Sequence, residues 1–270
     1  MITRSEATAR RAVRSIGGGR AVAELSATIC SAPIILISVP ESAIPGVVAQ
    51  LSSFGESVLR RKIVLHTSGA LSSDVLAQLQ PMGAAIGSIH PLQTFSGVGV
   101  PDLDGKVFAI EGDAAALRAA RNMTRVLGGH PLHVDAATKP LYHAAAVLSA
   151  GHMLTLAETA IQIFTELGIK RREALKALLP LTRQTLENLE RVGSRAAWTG
   201  PLARGDYATI ALHEDALRKS PLEYLDAYRA INYLAARVLA RDPERAMNEL
   251  ARISSKNGAG SKSKVRGASA

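Results

Sequence analysis

Short apolar runs alternate with amphipathic segments over the first half of the chain. The run at residues 32–40 is almost entirely apolar and has the length of one strand, which is typical of a parallel strand buried on both faces. Further strands are predicted at 62–66, 84–89, 106–111 and 132–135, and stretches with helical spacing lie between most of them. This alternation predicts crossover units and therefore a doubly wound, mostly parallel α/β sheet.

The alternation stops after Asp135, and the pattern becomes helical throughout. We therefore predict an α/β domain over residues 1–136 and an all-helical domain over 137–253. Residues 254–270 are rich in Ser, Gly, Ala and Lys and predict a disordered basic tail. The predicted helices of the second domain are 140–167, 171–191, 206–219 and 221–240.

The formal net charge of +9 belongs to the two ends of the chain. The first 20 residues and the last 17 each carry +4, so the rest of the chain carries +1. Aromatic residues make up 4% of the chain, too few for base-stacking surfaces, and none lies among the basic clusters. This distribution argues against a dedicated nucleic-acid-binding protein.

Compartment and metal content follow from other parts of the composition. The longest apolar stretches fall far short of the roughly 20 residues of a membrane span, and the basic, polar start has no signal-peptide core. The single cysteine, Cys30, excludes an internal disulfide and a multi-cysteine metal site. His130 and His133 show no metal-ligand spacing. We expect a cytoplasmic protein without a membrane anchor or a bound metal.

In an open parallel sheet, ligands bind beyond the carboxyl ends of the strands. Three segments lie there, at 38–41, 66–70 and 88–94. In them Val39, Pro40, Thr67 and Ser68 are candidate cofactor-binding residues, and Ser68 and Gln93 are candidate substrate contacts. Thr67 and Ser68 stand between a strand and a helix, which favours an anionic or carbonyl ligand, although plain helix capping explains them equally well. His90 also follows a strand, which makes it a candidate catalytic residue.

The first helix of the second domain begins with further chemistry-bearing residues. Lys139 and His143 share a helix face at a spacing of four, close to the end of the sheet. Either side chain suits proton transfer beside a transferred hydride. The alternative is a solvated lysine and a packed histidine.

Glycine-rich nucleotide turns are missing from the sequence. The run Gly17, Gly18, Gly19 follows a helix, and Val22 stands where a third glycine is required. No G-x-G-x-x-G pattern follows a strand anywhere in the chain, and no Walker-type loop is present.

Taken together, these residues give the chain a resemblance to bacterial Rossmann-like proteins with a C-terminal helical domain of unknown function. That family is described as NADP-dependent oxidoreductases, distantly related to pyrroline-carboxylate reductase, ketopantoate reductase and the 6-phosphogluconate and β-hydroxyacid dehydrogenases. The resemblance runs from about Thr3 to about Ala240. It is carried by residues 66–70 (HTSGA), 90–95 (HPLQTF), 141–146 (LYHAAA), 185–189 (TLENL) and 199–206 (TGPLARGD).

The resemblance implies a helical domain of the 6-phosphogluconate-dehydrogenase C-terminal type, a possible homodimer through that domain, and NADP as the cofactor. Arg4 and Ser5 match the turn where related enzymes bind the ribose 2′-phosphate. Two departures stand out. The first βα unit, which holds the pyrophosphate, is missing, so we expect an N-terminally truncated chain, and Gly151 replaces a common asparagine.

We expect the substrate site to lie between the two domains. We expect Ser68, His90, Lys139 and His143 to line it from one side. Gln93 belongs to the same side, and Asn188 and Arg204 approach from the helical domain. His143 is the first choice for the proton donor, and Arg204 would hold a substrate carboxylate; alternatively, Arg204 and Asp206 only pin the loop between two helices.

Two functions of different class remain open from the sequence. The first is an NADP-dependent oxidoreductase acting on a small carbonyl, imine or hydroxy acid. The second is a non-catalytic remnant or interaction protein that has lost dinucleotide binding together with the glycine-rich turn. A third, weaker option is that the basic tail tethers an acidic partner or nucleic acid.

Overall fold

A computed structural model describes residues 2–3, 5–22, 24–26, 31–97, 99 and 101–263. The chain divides into two compact units, Met1–His152 and Met153–Ala270. The first unit therefore includes the start of the long helical region, whereas the sequence pattern predicts the boundary at 136/137. The reason lies in packing: the helix that begins at Lys139 carries a side chain buried against the sheet.

Five strands form one sheet in the order β1-β2-β3-β4-β5. β1, β2 and β3 run parallel, and β4 and β5 are parallel to each other, but β4 is antiparallel to β3. The predicted mostly parallel α/β sheet is thus confirmed. The strands are β1 Ile34–Ile37, β2 Ile63–His66, β3 Ala85–Pro91, β4 Val107–Gly112 and β5 His130–His133.

The reversal at β4 has a simple cause. The described residues between β3 and β4 contain no helix, and the backbone N–H of Leu92 already donates to the carbonyl of Val107 at 2.8 Å. A parallel pair needs a crossover long enough to return to the other end of the sheet, which a helix usually provides. Without that helix, the chain folds straight back and β4 runs antiparallel.

Helices cover both faces of the sheet. Val64 and Ile86 pack with the helix at Ile44–Ser52, whereas Leu65 and Ile89 on the opposite face pack with the helix at Ala114–Val126. β1 lies at one edge, and its Leu36 is 46% exposed. The α-helices of this unit are α1 Glu6–Ile16, α2 Ile44–Ser52, α3 Glu56–Leu59, α4 Ala114–Val126 and α5 Lys139–Val147, and tighter 3₁₀ turns span Glu41–Ala43, Ser73–Met82 and Ala136–Thr138.

The second unit is helical, as predicted. A small core of Ile210, Ala236, Ala246 and Leu250 holds its last helices together. The final helix extends to Ser263, past the point at 254 where the composition predicts that order ends. A π-helical turn, Leu148–His152, leads into this unit, whose helices are α6 Met153–Glu166, α7 Arg171–Val192, α8 Ser194–Ala197, α9 Pro201–Arg204, α10 Tyr207–Leu217, α11 Leu222–Leu239 and α12 Pro243–Ser263.

Candidate functional site

The loop that follows β2 is shaped by a buried histidine. His66 is fully buried, and its Nδ1 accepts a hydrogen bond from the N–H of Ser68 at 3.2 Å. Its Nε2 lies 3.1 Å from the carbonyl of Ser72, so Nε2 carries the hydrogen and donates it. Burial, aided by the nearby Lys139, lowers the pKa of His66 to about 4. At pH 7 the ring is therefore neutral, and its two hydrogen bonds connect the backbone of Ser68 to that of Ser72.

Ser68 has its polar atoms engaged inside this loop. Its hydroxyl accepts from the N–H groups of Ala70 and Leu71, at 3.2 and 2.9 Å, and donates to the carboxylate of Glu41. Its carbonyl accepts a hydrogen bond from Lys139 at 3.0 Å. The following 3₁₀ helix is capped by Ser72, so Ser68 caps no helix, and its hydroxyl instead closes a turn within the loop. The substrate and cofactor contacts predicted for Ser68 stay a prediction.

A row of polar side chains crosses the sheet beneath the loop. His66, Ser88 and Glu111 are register partners on three neighbouring strands. Because side chains alternate between the faces of a sheet, the three point to the same side. Glu111 accepts from the backbone N–H and the hydroxyl of Ser73, at 2.7 and 2.8 Å.

Lys139 reaches from the start of α5 into this row. Its ammonium donates to the hydroxyl of Ser88 at 2.6 Å and lies 3.7 Å from a carboxylate oxygen of Glu111. The residue is 1% exposed, and burial lowers its pKa to about 8. The lysine is thus neither solvated nor open to a cleft within this unit. Its contacts fasten α5 to the carboxyl ends of β2 and β3.

Three ring side chains, those of His90, Tyr142 and His143, meet near the carboxyl end of β3. Nδ1 of His90 lies 3.0 Å from the hydroxyl of Tyr142, and the rings of His90 and His143 meet edge to face with centroids 5.6 Å apart. All three are half-buried. Burial, followed by the neighbouring His143 and Lys139, lowers the pKa of His90 to about 4, and burial raises that of Tyr142.

The backbone of Gly69 lies directly beside the two histidine rings. A Cβ at this position would fall 2.8 Å from Nε2 of His90 and would also collide with Cδ2 of His143. A residue with a side chain would therefore displace both rings. Gly69, His90, Tyr142 and His143 form what we call the histidine cluster.

The remaining predicted residues of the first unit lie around this edge or at the start of the chain. Val39 is exposed in the turn after β1, Pro40 precedes the next 3₁₀ turn, and the hydroxyl of Thr67 lies 3.4 Å from that of Ser38. Gln93 lies just past β3, and its side chain contacts the backbone of Thr94 and Asp102.

Ser5 caps α1 through a 3.3 Å hydrogen bond from the N–H of Thr8. Arg4, predicted to bind the 2′-phosphate, lies outside the described residues, as does Cys30.

Asn188 and Arg204 belong to the second unit. The side-chain oxygen of Asn188 accepts hydrogen bonds from Gln184 and Arg191 along α7, at 3.3 and 3.0 Å. Arg204 ends α9, and its charge is one of the weaker causes that lower the pKa of Asp206, after the hydrogen bonds from Thr209. Their roles toward a substrate stay predictions.

Sequence reasoning missed Tyr142, Glu111, Ser88 and Glu41. One signal was available for two of them: Ser88 and Glu111 interrupt apolar strands at positions that face the sheet interior, and a buried carboxylate needs a partner. Lys139 is that partner. Nothing in the spacing along the chain indicates that Tyr142 meets His90, because the two lie 52 residues apart.

Each of the two parts of the chain is similar to a known domain family. The Rossmann-like domain family matches residues 1–91, and the domain of unknown function DUF2520 matches residues 106–234. No curated protein matches the chain.

Several solved structures share the fold. A protein of Thermotoga maritima is 24% identical with a TM-score of 0.63, over 85% of this chain and 88% of that chain. A candidate NADP oxidoreductase of Bacteroides fragilis is 21% identical with a TM-score of 0.66, over 85% of both chains. A reductive aminase of Aspergillus terreus, solved with NADPH and ethyl levulinate, is 17% identical with a TM-score of 0.60, over 92% and 88%.

Proposed function

We propose that this chain, whose residues 1–91 match a Rossmann-like domain family and whose residues 106–234 match DUF2520, is an NADP-dependent oxidoreductase of a small carbonyl, imine or hydroxy acid. The observation that carries the proposal is the histidine cluster. It gathers three titratable rings at the carboxyl ends of β2 and β3, where open α/β sheets bind their ligands. The NADP-linked reductases among the structural neighbours support the same class of reaction.

His143 acts as the proton donor in this proposal. Reduction of a carbonyl or imine places negative charge on the oxygen or nitrogen, and imidazole exchanges protons near neutral pH in either direction. Lys139 is the weaker candidate, because its hydrogens already point at Ser68, Ser88 and Glu111. Gln93, Asn188 and Arg204 are proposed to contact the substrate.

The residues present fit the nicotinamide end of the cofactor better than its phosphates. Val39 offers an exposed apolar surface beside the sheet edge, next to Pro40 and Thr67, which suits a flat ring. Bound there, a reduced nicotinamide supplies a hydride. Arg4 and Ser5 are proposed to hold the 2′-phosphate, but the sequence contains no glycine-rich turn for the pyrophosphate.

A second candidate function applies to a protein in which no glycine-rich turn accompanies these residues. A chain without the turn binds a dinucleotide poorly or not at all, because the turn brings backbone N–H groups to the pyrophosphate. In this alternative the protein is a non-catalytic interaction protein that keeps the fold. Dinucleotide binding separates the two candidates.

The decisive experiment titrates the purified chain with NADPH and with NADH. We expect tighter binding of NADPH, and we expect Arg4→Ala to weaken NADPH by roughly 10- to 100-fold, the range for a hydrogen bond to a charged group, with little change for NADH. Equal losses for both dinucleotides would show that Arg4 does not contact the phosphate. A folded chain that binds neither dinucleotide would support the non-catalytic alternative.

Oxidation of NADPH in the presence of a panel of small ketones, 2-oxo acids and cyclic imines then tests the reaction. His143→Ala should retain NADPH binding and lose turnover. His133→Ala is the matched control, since His133 is exposed on β5 and should tolerate the change. Full turnover in His143→Ala would assign the proton to another group.

A further inference from the structure

The rings of His90 and His143 touch each other, but the two side chains differ in their hydrogen bonds. His90 is paired with the hydroxyl of Tyr142 through Nδ1, whereas neither nitrogen of His143 has a hydrogen bond to any described residue. Two identical side chains in different surroundings are suited to different tasks. The tautomer of His90 decides what its task is.

The hydroxyl of Tyr142 determines that tautomer. Burial raises the pKa of Tyr142, so its phenol keeps its hydrogen at neutral pH. Nδ1 of His90 is its side-chain partner in the described chain, at 3.0 Å. A phenol is a better donor than acceptor, and an unprotonated imidazole nitrogen is a strong acceptor. Nδ1 therefore accepts, and the single hydrogen of the neutral ring is on Nε2.

Nε2 of His90 is the ring nitrogen that does not bond to Tyr142. It lies against the backbone of Gly69, where the absence of a side chain leaves room for the ring. None of the described residues accepts a hydrogen bond from it. A half-buried N–H with no acceptor in the protein is a group held ready for a ligand.

We propose that His90 is a neutral hydrogen-bond donor to the oxygen or nitrogen of the reacting double bond, and that Tyr142 is the positioning residue that fixes it in this state. The inference rests on the proposed function and deepens it, because it separates the roles of the two histidines. His90 polarises the substrate, and His143 supplies the proton.

The proposed reduction accounts for the hydride, the electron pair and the proton. The substrate carbon receives the hydride as the dinucleotide is oxidised, and the electron pair of the double bond moves onto the substrate oxygen or nitrogen. Protonated His143 transfers its proton to that atom and becomes neutral. His90 keeps its Nε2 hydrogen throughout and stabilises the developing negative charge, as donors in an oxyanion hole do.

The surrounding charges keep His90 in the required form. Lys139 and His143 both disfavour a second proton on the ring, and burial acts in the same direction; only Glu41 opposes them. A cationic His90 would have to lose the bond from Tyr142 or turn its ring. The cluster thus holds a neutral imidazole beside the proposed acid.

The first test is a nitrogen-15 spectrum of the full-length chain labelled in histidine, recorded at pH 7 without cofactor. We expect His90 to show a protonated Nε2 and an unprotonated Nδ1, and we expect Tyr142→Phe to give a mixture of the two tautomers. A protonated Nδ1 in the unmodified protein would overturn the proposal. An unchanged tautomer in Tyr142→Phe would show that Tyr142 does not fix the ring.

A second His–Tyr pair in the same chain is the matched control. Nδ1 of His213 lies 2.8 Å from the hydroxyl of Tyr228, with ring centroids 5.8 Å apart, in the helical unit. Tyr228→Phe removes the same hydroxyl from the same kind of pair. Its effect should stay at His213 and leave both the spectrum of His90 and turnover unchanged.

Kinetics provide the second readout, with the compound that gives turnover in the panel. Tyr142→Phe should lower kcat by about tenfold or more, while the Kd of NADPH stays within twofold, because only orientation of the donor is lost. A rise in KM with unchanged kcat would overturn the assignment. Absence of NADPH binding or turnover in the unmodified protein contradicts the proposed function instead, whereas the tautomer measurement stands separately.

Discussion

Lys139 shows how burial changes the meaning of a single residue. Its spacing from His143 predicts a group for proton transfer, but its ammonium is enclosed by the carbonyl of Ser68, the hydroxyl of Ser88 and the carboxylate of Glu111. A buried charge of this kind holds elements together only while its partners are present. Its structural importance is open to a direct test.

We expect Lys139→Met to destabilise the protein by about 3–5 kcal/mol, because it leaves the carboxylate of Glu111 buried without its cation. The double variant Lys139→Met, Glu111→Gln should recover much of the loss, since a neutral amide keeps an acceptor for Ser73. Urea denaturation measures both. Lys176→Met, on an exposed face of α7, is the control and should have little effect. If Lys139→Met is as stable as the control Lys176→Met, the role assigned to the pair of Lys139 and Glu111 is contradicted.

At the level of elements, the loop between β2 and the following 3₁₀ helix is held by the side chains of its own residues. His66 bonds to the backbone of Ser68 and Ser72, and the Ser68 hydroxyl accepts from two N–H groups further along the loop. Because Gly69 has no side chain, the rings of the histidine cluster can lie beside it. Each contact constrains the next, because a shift of the backbone at Gly69 would move the carbonyl that Lys139 binds. The loop therefore links the helix α5 to the sheet and to the cluster.

Gly69→Ala should disrupt this loop. The added methyl group meets ring atoms of both His90 and His143 at less than contact distance, so we expect a loss of about 1–3 kcal/mol and changed histidine spectra. Gly46→Ala is the matched control: no atom lies within 4 Å of its added carbon, and it stands inside α2. Alanine there should be neutral or stabilise the helix by up to about 1 kcal/mol. Urea denaturation measures the stability of both variants. Unchanged stability together with unchanged histidine signals in Gly69→Ala would refute the close contact.

At the scale of the molecule, the hairpin of α6 and α7 leaves much apolar surface exposed. Each helix buries a single residue, Ile161 in α6 and Ala174 in α7, whereas Leu154 and Leu181 are 68% and 65% exposed. The continuous helical segment Ala136–Glu166 is long and apolar enough to cross a membrane by length and composition alone, which the short apolar runs of the sequence did not predict. Amphipathic helices normally bury their apolar stripe, and larger exposed patches mark interfaces.

We expect this hairpin to pair with a second copy of the chain, since the two-fold contact of identical apolar faces is the commonest way to cover them. The unmodified protein should sediment as a dimer, and Leu154→Glu with Leu181→Glu should shift it to a monomer. Gln184→Glu adds a charge at an exposed polar position of α7 and should leave the dimer intact. A monomer in the absence of substitutions, or binding of the protein to neutral lipid vesicles, would contradict the dimer.

The order of the elements followed from local pattern. Apolar runs such as 32–40 are strands because they are buried on both faces, and helical spacing after 138 excludes further strands. The family motifs at 66–70 and 90–95 indicated the edge of the sheet where His90 lies. These are properties of neighbouring residues, so the sequence contains them in readable form.

Contacts between distant residues came only from the tertiary structure. The antiparallel run of β4, the row of His66, Ser88 and Glu111, and the pairing of Tyr142 with His90 depend on register and on how α5 packs against the sheet. The spacing of residues along the chain does not indicate these contacts, because each contact joins two elements whose relative position is decided by packing. For the same reason the sequence indicated that Lys139 is a charged residue near the sheet edge, and only packing decided that it is buried.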